Sequence, residues 1–138
     1  DCLLSRGLGD VYKRQVMKSH TLIGASMLAR LDHYRDEELA RTAYQICRWH
    51  HERYDGGGYP DGLKGEEIPI AAQVVSIADA YDALISPRVY KEGFSHEQAM
   101  QMIRNGECGA FNPLLIECLE DSQSRIRYLA SMTAERFS

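Results

Sequence analysis

Apolar residues recur at helical spacing over residues 16–31, where Met17, Leu22, Ile23, Met27, Leu28 and Leu31 predict an amphipathic helix. Ahead of it, residues 1–15 (DCLLSRGLGDVYKRQ) hold no sustained period and two glycines. That stretch reads as a leader or foreign junction before one structured unit at 16–138. A polar turn at 32–36 brings Asp36-Glu37-Glu38, acids of the kind a helix N-terminus favours. Leu39, Ala43, Ile46, Cys47 and Trp49 then mark a second helix ending close to His51. Residues 53–67 read as loop, through Asp55-Gly56-Gly57-Gly58-Tyr59-Pro60-Asp61-Gly62 and Gly65; glycine at this density permits tight turns and close backbone approach. Pro69 suits the first position of a third helix. Through about residue 85 that helix is apolar nearly all round, from Ile70 and Ala71 to Leu84 and Ile85, which predicts a place at the centre of a bundle. Pro87 breaks it, and 87–93 forms a short basic connector. Ser95 followed by Gln98 is a capping-box start for a fourth helix that Gly106 ends. Pro113 opens a fifth, running through Leu115, Ile116, Leu119, Ile126 and Leu129 into the C-terminus. No alternating run argues for a sheet, so the expected fold is all-α, a helical bundle with a long glycine-rich loop.

Composition narrows the function classes. The 138 residues fit one domain, and a net charge of −4 argues against a nucleic-acid coat or a binder of anionic membranes. No DNA partner is expected, and the apolar runs are too short to span a bilayer. Cys2, Cys47, Cys108 and Cys118 include no close pair, which excludes a zinc ribbon or a thioredoxin-like site. All four read as reduced thiols in a cytoplasmic protein, and Cys2-Leu3-Leu4 is too brief for a secretory signal.

Candidate chemistry gathers at His50-His51-Glu52, where the second helix meets the glycine loop. Adjacent imidazoles point about 100° apart on a regular helix and share a site only near a helix end. Taken alone, the pair is somewhat better explained by histidine complementing the helix dipole than by metal binding. Asp79, inside the apolar third helix, needs a partner or a metal if its carboxylate is buried, with a salt bridge or cap as the competing explanation. Asp82, one turn on, reads as a supporting or structural partner. His20 lies on a helix that is apolar on one side, where a satisfied core histidine is the simpler account. Together His20, His50, His51 and Asp79 form a nitrogen-and-oxygen ligand set suited to iron, manganese or zinc.

The stretch His50-His51-Glu52-Arg53-Tyr54-Asp55-Gly56-Gly57-Gly58-Tyr59-Pro60 resembles the signature of the HD-GYP domain. Gly62-Leu63, Gly65, Ile68-Pro69, Ala78-Asp79, Asp82-Ala83-Leu84, Arg88, Tyr90 and Phe111-Asn112-Pro113 downstream, and Met17-Lys18-Ser19-His20-Thr21 with Gly24 upstream, extend the resemblance over about 16–119. The family implies a helical bundle of the HD type that hydrolyses the bacterial messenger cyclic di-GMP with two or more divalent metal ions, iron or manganese. Carried over by position, it implies that His20, His50, His51 and Asp79 are metal ligands. It implies that Arg88 and Lys91 contact the substrate's phosphates, with Tyr59 bordering the substrate; without the resemblance, Arg88 and Lys91 are an ordinary solvated basic turn. The Gly58, Tyr59 and Pro60 loop is implied as a contact for diguanylate cyclase (GGDEF-type) domains, and a receiver or other sensor domain is implied upstream. No single catalytic residue is assigned.

Three departures accompany the resemblance. The family's His-Asp pair, with a further Glu ligand and a Lys, is expected upstream of His20 and has no counterpart in 1–15. This portion of an HD-GYP domain is therefore expected to turn over substrate weakly or not at all. Gln73 and Asn112 stand where the family usually carries Arg and Asp. The leading reading is a cyclic di-GMP phosphodiesterase. The alternative is a degenerate, non-catalytic module that binds cyclic di-GMP or docks a cyclase domain, and a generic HD-type phosphohydrolase is the weakest of the three.

Overall fold

In the computed structural model, residues 10–30, 37–87 and 92–137 are described, with side chains over 19–30, 37–87 and 92–132. Among the described residues every regular element is helical: α1 (Asp10–Ala29), α2 (Glu38–Trp49), α3 (Ile70–Ile85), α4 (His96–Arg104), α5 (Pro113–Asp121) and α6 (Gln123–Phe137), with one 3-10 turn at Gly65–Glu67. Each helix packs on its successor in the chain. The all-α architecture is as expected, and so is the long loop between α2 and α3.

Local signals explain most of the boundaries. The Ser95 hydroxyl accepts the Gln98 N–H at 3.2 Å, and the Gln98 side chain accepts the Ser95 N–H at 3.0 Å, a complete capping box for α4. At its other end Gly106 takes φ +73°, Glu107 N–H bonds to the Met102 carbonyl and Gly106 N–H to that of Ile103. That pair of bonds is the Schellman arrangement, which needs a residue at ease in the left-handed region. Pro113 begins α5, and the Asn112 side chain caps it by accepting the Leu114 N–H at 3.0 Å.

Three features differ from the expectation. α1 starts at Asp10 and runs unbroken through residue 16, because 10–15 hold helix-compatible residues but too few apolar ones to show a period. The single C-terminal helix is two, broken at Ser122, whose carbonyl accepts the Arg125 and Ile126 N–H groups that open α6. α3 is not enclosed on all sides. Ala72, Gln73, Ser76, Ile77, Tyr81 and Leu84 form its buried face, while Ile70 and Val74 remain 59% and 46% exposed and Asp79 and Asp82 are exposed too.

The core lies where that buried face meets α4 and the segment after it. Ile77, Tyr81 and Leu84 pack with Ala99, Met100, Ile103, Cys108 and Phe111, flanked by Leu115, Ile116, Leu119 and Ile126. Buried Gln73 donates to the Ile68 carbonyl at 2.8 Å and accepts from the Asn112 amide at 3.2 Å. Gln73 and Asn112, two of the three departures from the HD-GYP pattern, are thus hydrogen-bonded partners. Cys47 and Cys118 are free thiols, whereas Cys108 is disulfide-bonded. This corrects the reading of four reduced thiols: sequence spacing excludes only local pairs, and a disulfide needs proximity in space.

Candidate metal centre

α2 ends at Trp49, and His50 occupies its C-cap with helical dihedrals, so the chain leaves the helix between the two histidines. Freed from regular helical spacing, their rings approach to 4.1 Å between centroids. α1, packed along α2, brings His20 to 5.5 Å from the His50 ring and 5.1 Å from that of His51. One potential ligand nitrogen from each of the three lies within 4.8 Å of the other two. Bonds from a zinc-like ion to imidazole nitrogen are about 2.0–2.1 Å, so nitrogens that share one ion lie within about 4 Å of one another and the three rings must draw together to hold it.

Protonation favours the same use. Burial pushes the His51 pKa down to about 4, with the nearby Arg53 charge acting in the same direction and Asp79 opposing it. The His50 pKa is also lowered, first by burial and then by His51, against a raising contribution from its bond to Ile46. Both rings are neutral at pH 7, the form that binds metals. Nδ1 of His50 lies 2.7 Å from the Ile46 carbonyl, which can only accept, so Nδ1 carries the hydrogen and Nε2 keeps its lone pair for a ligand. Three imidazole nitrogens suit iron or zinc.

Asp79 stands differently from the expectation. It is exposed, because α3 turns its opposite face to the core, and it lies outside the three-histidine group. The reasoning from a buried carboxylate therefore does not apply. Its charge nevertheless acts on His50, His51 and Arg53, which places it on the histidine side of the molecule. Arg88 and Lys91 lie outside the described residues.

The loop folds back on the helix end that launches it. The Tyr59 N–H bonds to the His51 carbonyl at 3.2 Å, and the Tyr59 ring stacks on the His51 ring at 5.1 Å and 21°. Tyr59 is buried and faces the histidine cluster, while Gly58 and Pro60 are half-buried; the Tyr59–Pro60 peptide is cis. Gly58 packs so closely on the backbone of residues 51–53 that no side chain fits.

Two carboxylates without a role in the sequence reading hold the far side of the loop. Glu52, 3% exposed, accepts the N–H groups of Asp61 at 2.7 Å, Gly62 at 3.1 Å and Leu63 at 2.9 Å. The Asp61 carboxylate accepts from Arg48 at 2.8 and 3.1 Å and from the Trp49 indole at 2.7 Å. Those bonds, Arg48 first, lower the Asp61 pKa. A sequence signal existed only in general form: loop N–H groups need acceptors, and Glu52 and Asp61 are acids at the ends of a donor-rich stretch. On the inner side, Arg53 donates to the Ser76 hydroxyl at 3.1 Å and lies over the Phe111 ring at 5.8 Å.

A family model described as HD domain matches residues 8–112. A cyclic di-GMP phosphodiesterase of Vibrio cholerae is 45% identical over 103 residues, 74% of this chain and 21% of that protein. The cyclic di-GMP phosphodiesterase response regulator RpfG of Xanthomonas campestris is 36% identical over 127 residues, 92% of this chain and 32% of that protein. A 3'3'-cGAMP-specific phosphodiesterase of Vibrio cholerae is 34% identical over 110 residues, 80% of this chain and 20% of that protein. The chain thus spans about a fifth to a third of the length of these relatives.

Proposed function

The chain belongs to the HD domain family, and from that premise we propose that it serves as a metal-dependent phosphodiesterase for a cyclic dinucleotide, cyclic di-GMP first. The observation that carries this reading is the convergence of His20, His50 and His51 where α2 meets the Gly-Tyr-Pro loop. His20, His50 and His51 hold the ion through ring nitrogens, and Asp79 supplies an anionic oxygen from α3. Two or more ions, iron or manganese, is the finer form of the same reading. When bound, such ions supply Lewis acidity toward the phosphoryl oxygens and the attacking water.

The residues of the chain do the rest. Burial keeps His50 and His51 neutral, and the bond from His50 Nδ1 to the Ile46 carbonyl keeps its Nε2 free. Tyr59 covers one face of His51. Arg88 and Lys91 hold the phosphates through charge-assisted bonds, with Arg88 offering the bidentate fork. The Gly58, Tyr59 and Pro60 loop is the contact for a diguanylate cyclase domain, and a receiver or sensor domain is the regulatory partner. Among the described residues no helix is long and apolar enough to cross a membrane. We place the protein in the cytoplasm, where this messenger acts; the Cys108 disulfide argues the other way, and a thiol count on freshly lysed cells decides it.

A second reading, nucleotide binding without turnover, is favoured by one observation: among the described residues no carboxylate joins the three-histidine group. One pair of measurements separates the two. Cyclic di-GMP and 3'3'-cGAMP are each offered to manganese- or ferrous-loaded protein, with binding followed by calorimetry and products by chromatography. Metal-dependent hydrolysis that disappears in His50→Ala supports the phosphodiesterase. Tight binding without product supports the receptor module. Neither binding nor hydrolysis overturns both.

A further inference from the structure

The end of α2 and the residues that follow it grip the loop on either side of the histidine pair. Ahead of the pair, Arg48 and Trp49 bind the Asp61 carboxylate; behind it, Glu52 binds the backbone of residues 61–63. Between these anchors the chain has one course, because Gly58 lies directly on the backbone of residues 51–53 and Tyr59 is bonded to the His51 carbonyl. The stacked Tyr59 ring then limits the angles that the His51 imidazole can adopt. We propose that Glu52 and Asp61 are positioning residues for the metal centre: they cinch the loop so that Tyr59 holds the His51 ring toward His20 and His50.

The physical case rests on what each bond restrains. Glu52 is buried and uses both carboxylate oxygens on three successive N–H groups, so the turn at 61–63 cannot shift without leaving a buried acceptor unsatisfied. Asp61 ties that turn to a helix side chain and to the indole of the residue preceding His50. Groups that orient a ligand ring usually change metal affinity by about 10–100-fold when removed, although they never touch the ion.

The inference rests on the reading of His20, His50 and His51 as ligands, and the test keeps the two apart. The 138-residue chain is titrated with Mn(II) and Co(II), following affinity by calorimetry and the Co(II) visible absorption band, with thermal melts in EDTA alongside. His51→Ala should remove most of the affinity. Asp61→Ala and Glu52→Ala should each weaken binding by about 10–100-fold and alter the Co(II) band. Glu52→Gln should fall between them and the parent, since its amide oxygen still accepts from Asp61 and Gly62 but no longer from Leu63. Leu84→Ala, a core truncation away from the loop, shows what instability alone does to affinity. Where Glu52→Ala does not fold, Asp61→Ala and Glu52→Gln decide. Parent-like affinity and Co(II) spectra in those two, with His51→Ala still defective, overturn the positioning role alone. An unaffected His51→Ala overturns the ligand reading and this inference with it.

Discussion

Three consecutive glycines in the loop should respond differently to the same added methyl group. At Gly56 there is room, because the nearest atom to a new Cβ is the Lys64 Cβ at 3.5 Å, but φ is +87°. An L-residue pays about 1–2 kcal/mol in that region, partly offset by about 0.4–1 kcal/mol from a less flexible unfolded chain. Gly56→Ala should therefore cost roughly 1 kcal/mol. At Gly57 φ is unremarkable and the tightest contact, 3.1 Å, is to the Asp55 carboxylate oxygen that accepts the Gly57 N–H. That side chain can give way, so Gly57→Ala should lie near zero. At Gly58 φ is again permissive, yet a Cβ would collide with the backbone of His51, Glu52 and Arg53. Backbone cannot rotate aside as a side chain does, so the loop must lift. Overpacking of this kind costs about 1–3 kcal/mol or more. The lift also strains the Tyr59–His51 bond and the stacking on His51, so Gly58→Ala alone should weaken metal binding. Urea titrations followed by circular dichroism give the three stabilities, and metal calorimetry gives the affinities. Near-equal stability losses in all three, or a Gly58→Ala protein with parent-like stability and metal affinity, would refute the close-packing account.

Other expectations follow from the same structure. Because burial lowers the pKa of His50 and His51, the unfolded chain binds more protons below its histidine pKa near 6.5 than the folded one does. Stability of the metal-free protein should thus be full above pH 6.5, fall as the pH drops toward 4 and level off below, and His51→Gln should flatten that slope in urea titrations across the range; an unchanged slope counts against His51 as a buried neutral group. Gln73→Arg should destabilise by leaving a cation against a neutral Asn112, and adding Asn112→Asp should recover part of the loss. A double-mutant cycle should show coupling of about 0.5–3 kcal/mol, whereas additive losses would refute the coupling of positions 73 and 112.

The sequence disclosed what local chemistry encodes. The capping box at Ser95 and Gln98, the glycine exit at Gly106 and the proline start at Pro113 each need a few neighbouring residues, and each is where the pattern puts it. Features set by distant packing were not legible. An apolar circumference lets α3 be buried on every side but does not require it, and among the described residues only one face is covered. That misjudged burial is why Asp79 was expected inside the bundle. The break at Ser122 carries no proline or glycine to announce it. The bonds from Arg48 and Trp49 to Asp61 span 13 and 12 residues, a separation for which the sequence has no periodic signal. The histidine convergence was legible in part: adjacency fixed that the pair must sit at a helix end, while the approach of His20 followed from family resemblance rather than spacing.

Ending α2 and assembling the site are one structural task. A helix leaves its last carbonyls without partners, and buried carbonyls must find donors nearby. Here the Ile46 carbonyl takes both the His50 N–H at 3.1 Å and the His50 Nδ1–H at 2.7 Å, so the capping residue is fixed in the tautomer that frees Nε2. The Trp49 carbonyl takes the Glu52 N–H at 3.0 Å, turning the chain so that Glu52 points into the loop. The His51 carbonyl takes the Tyr59 N–H, which delivers the ring that stacks on His51. Each bond that satisfies the helix end also orients a side chain of the cluster. Loosening the loop would therefore unsatisfy the helix terminus, and fraying the terminus would scatter the histidines. The cluster is rigid because the helix needs the loop as its cap.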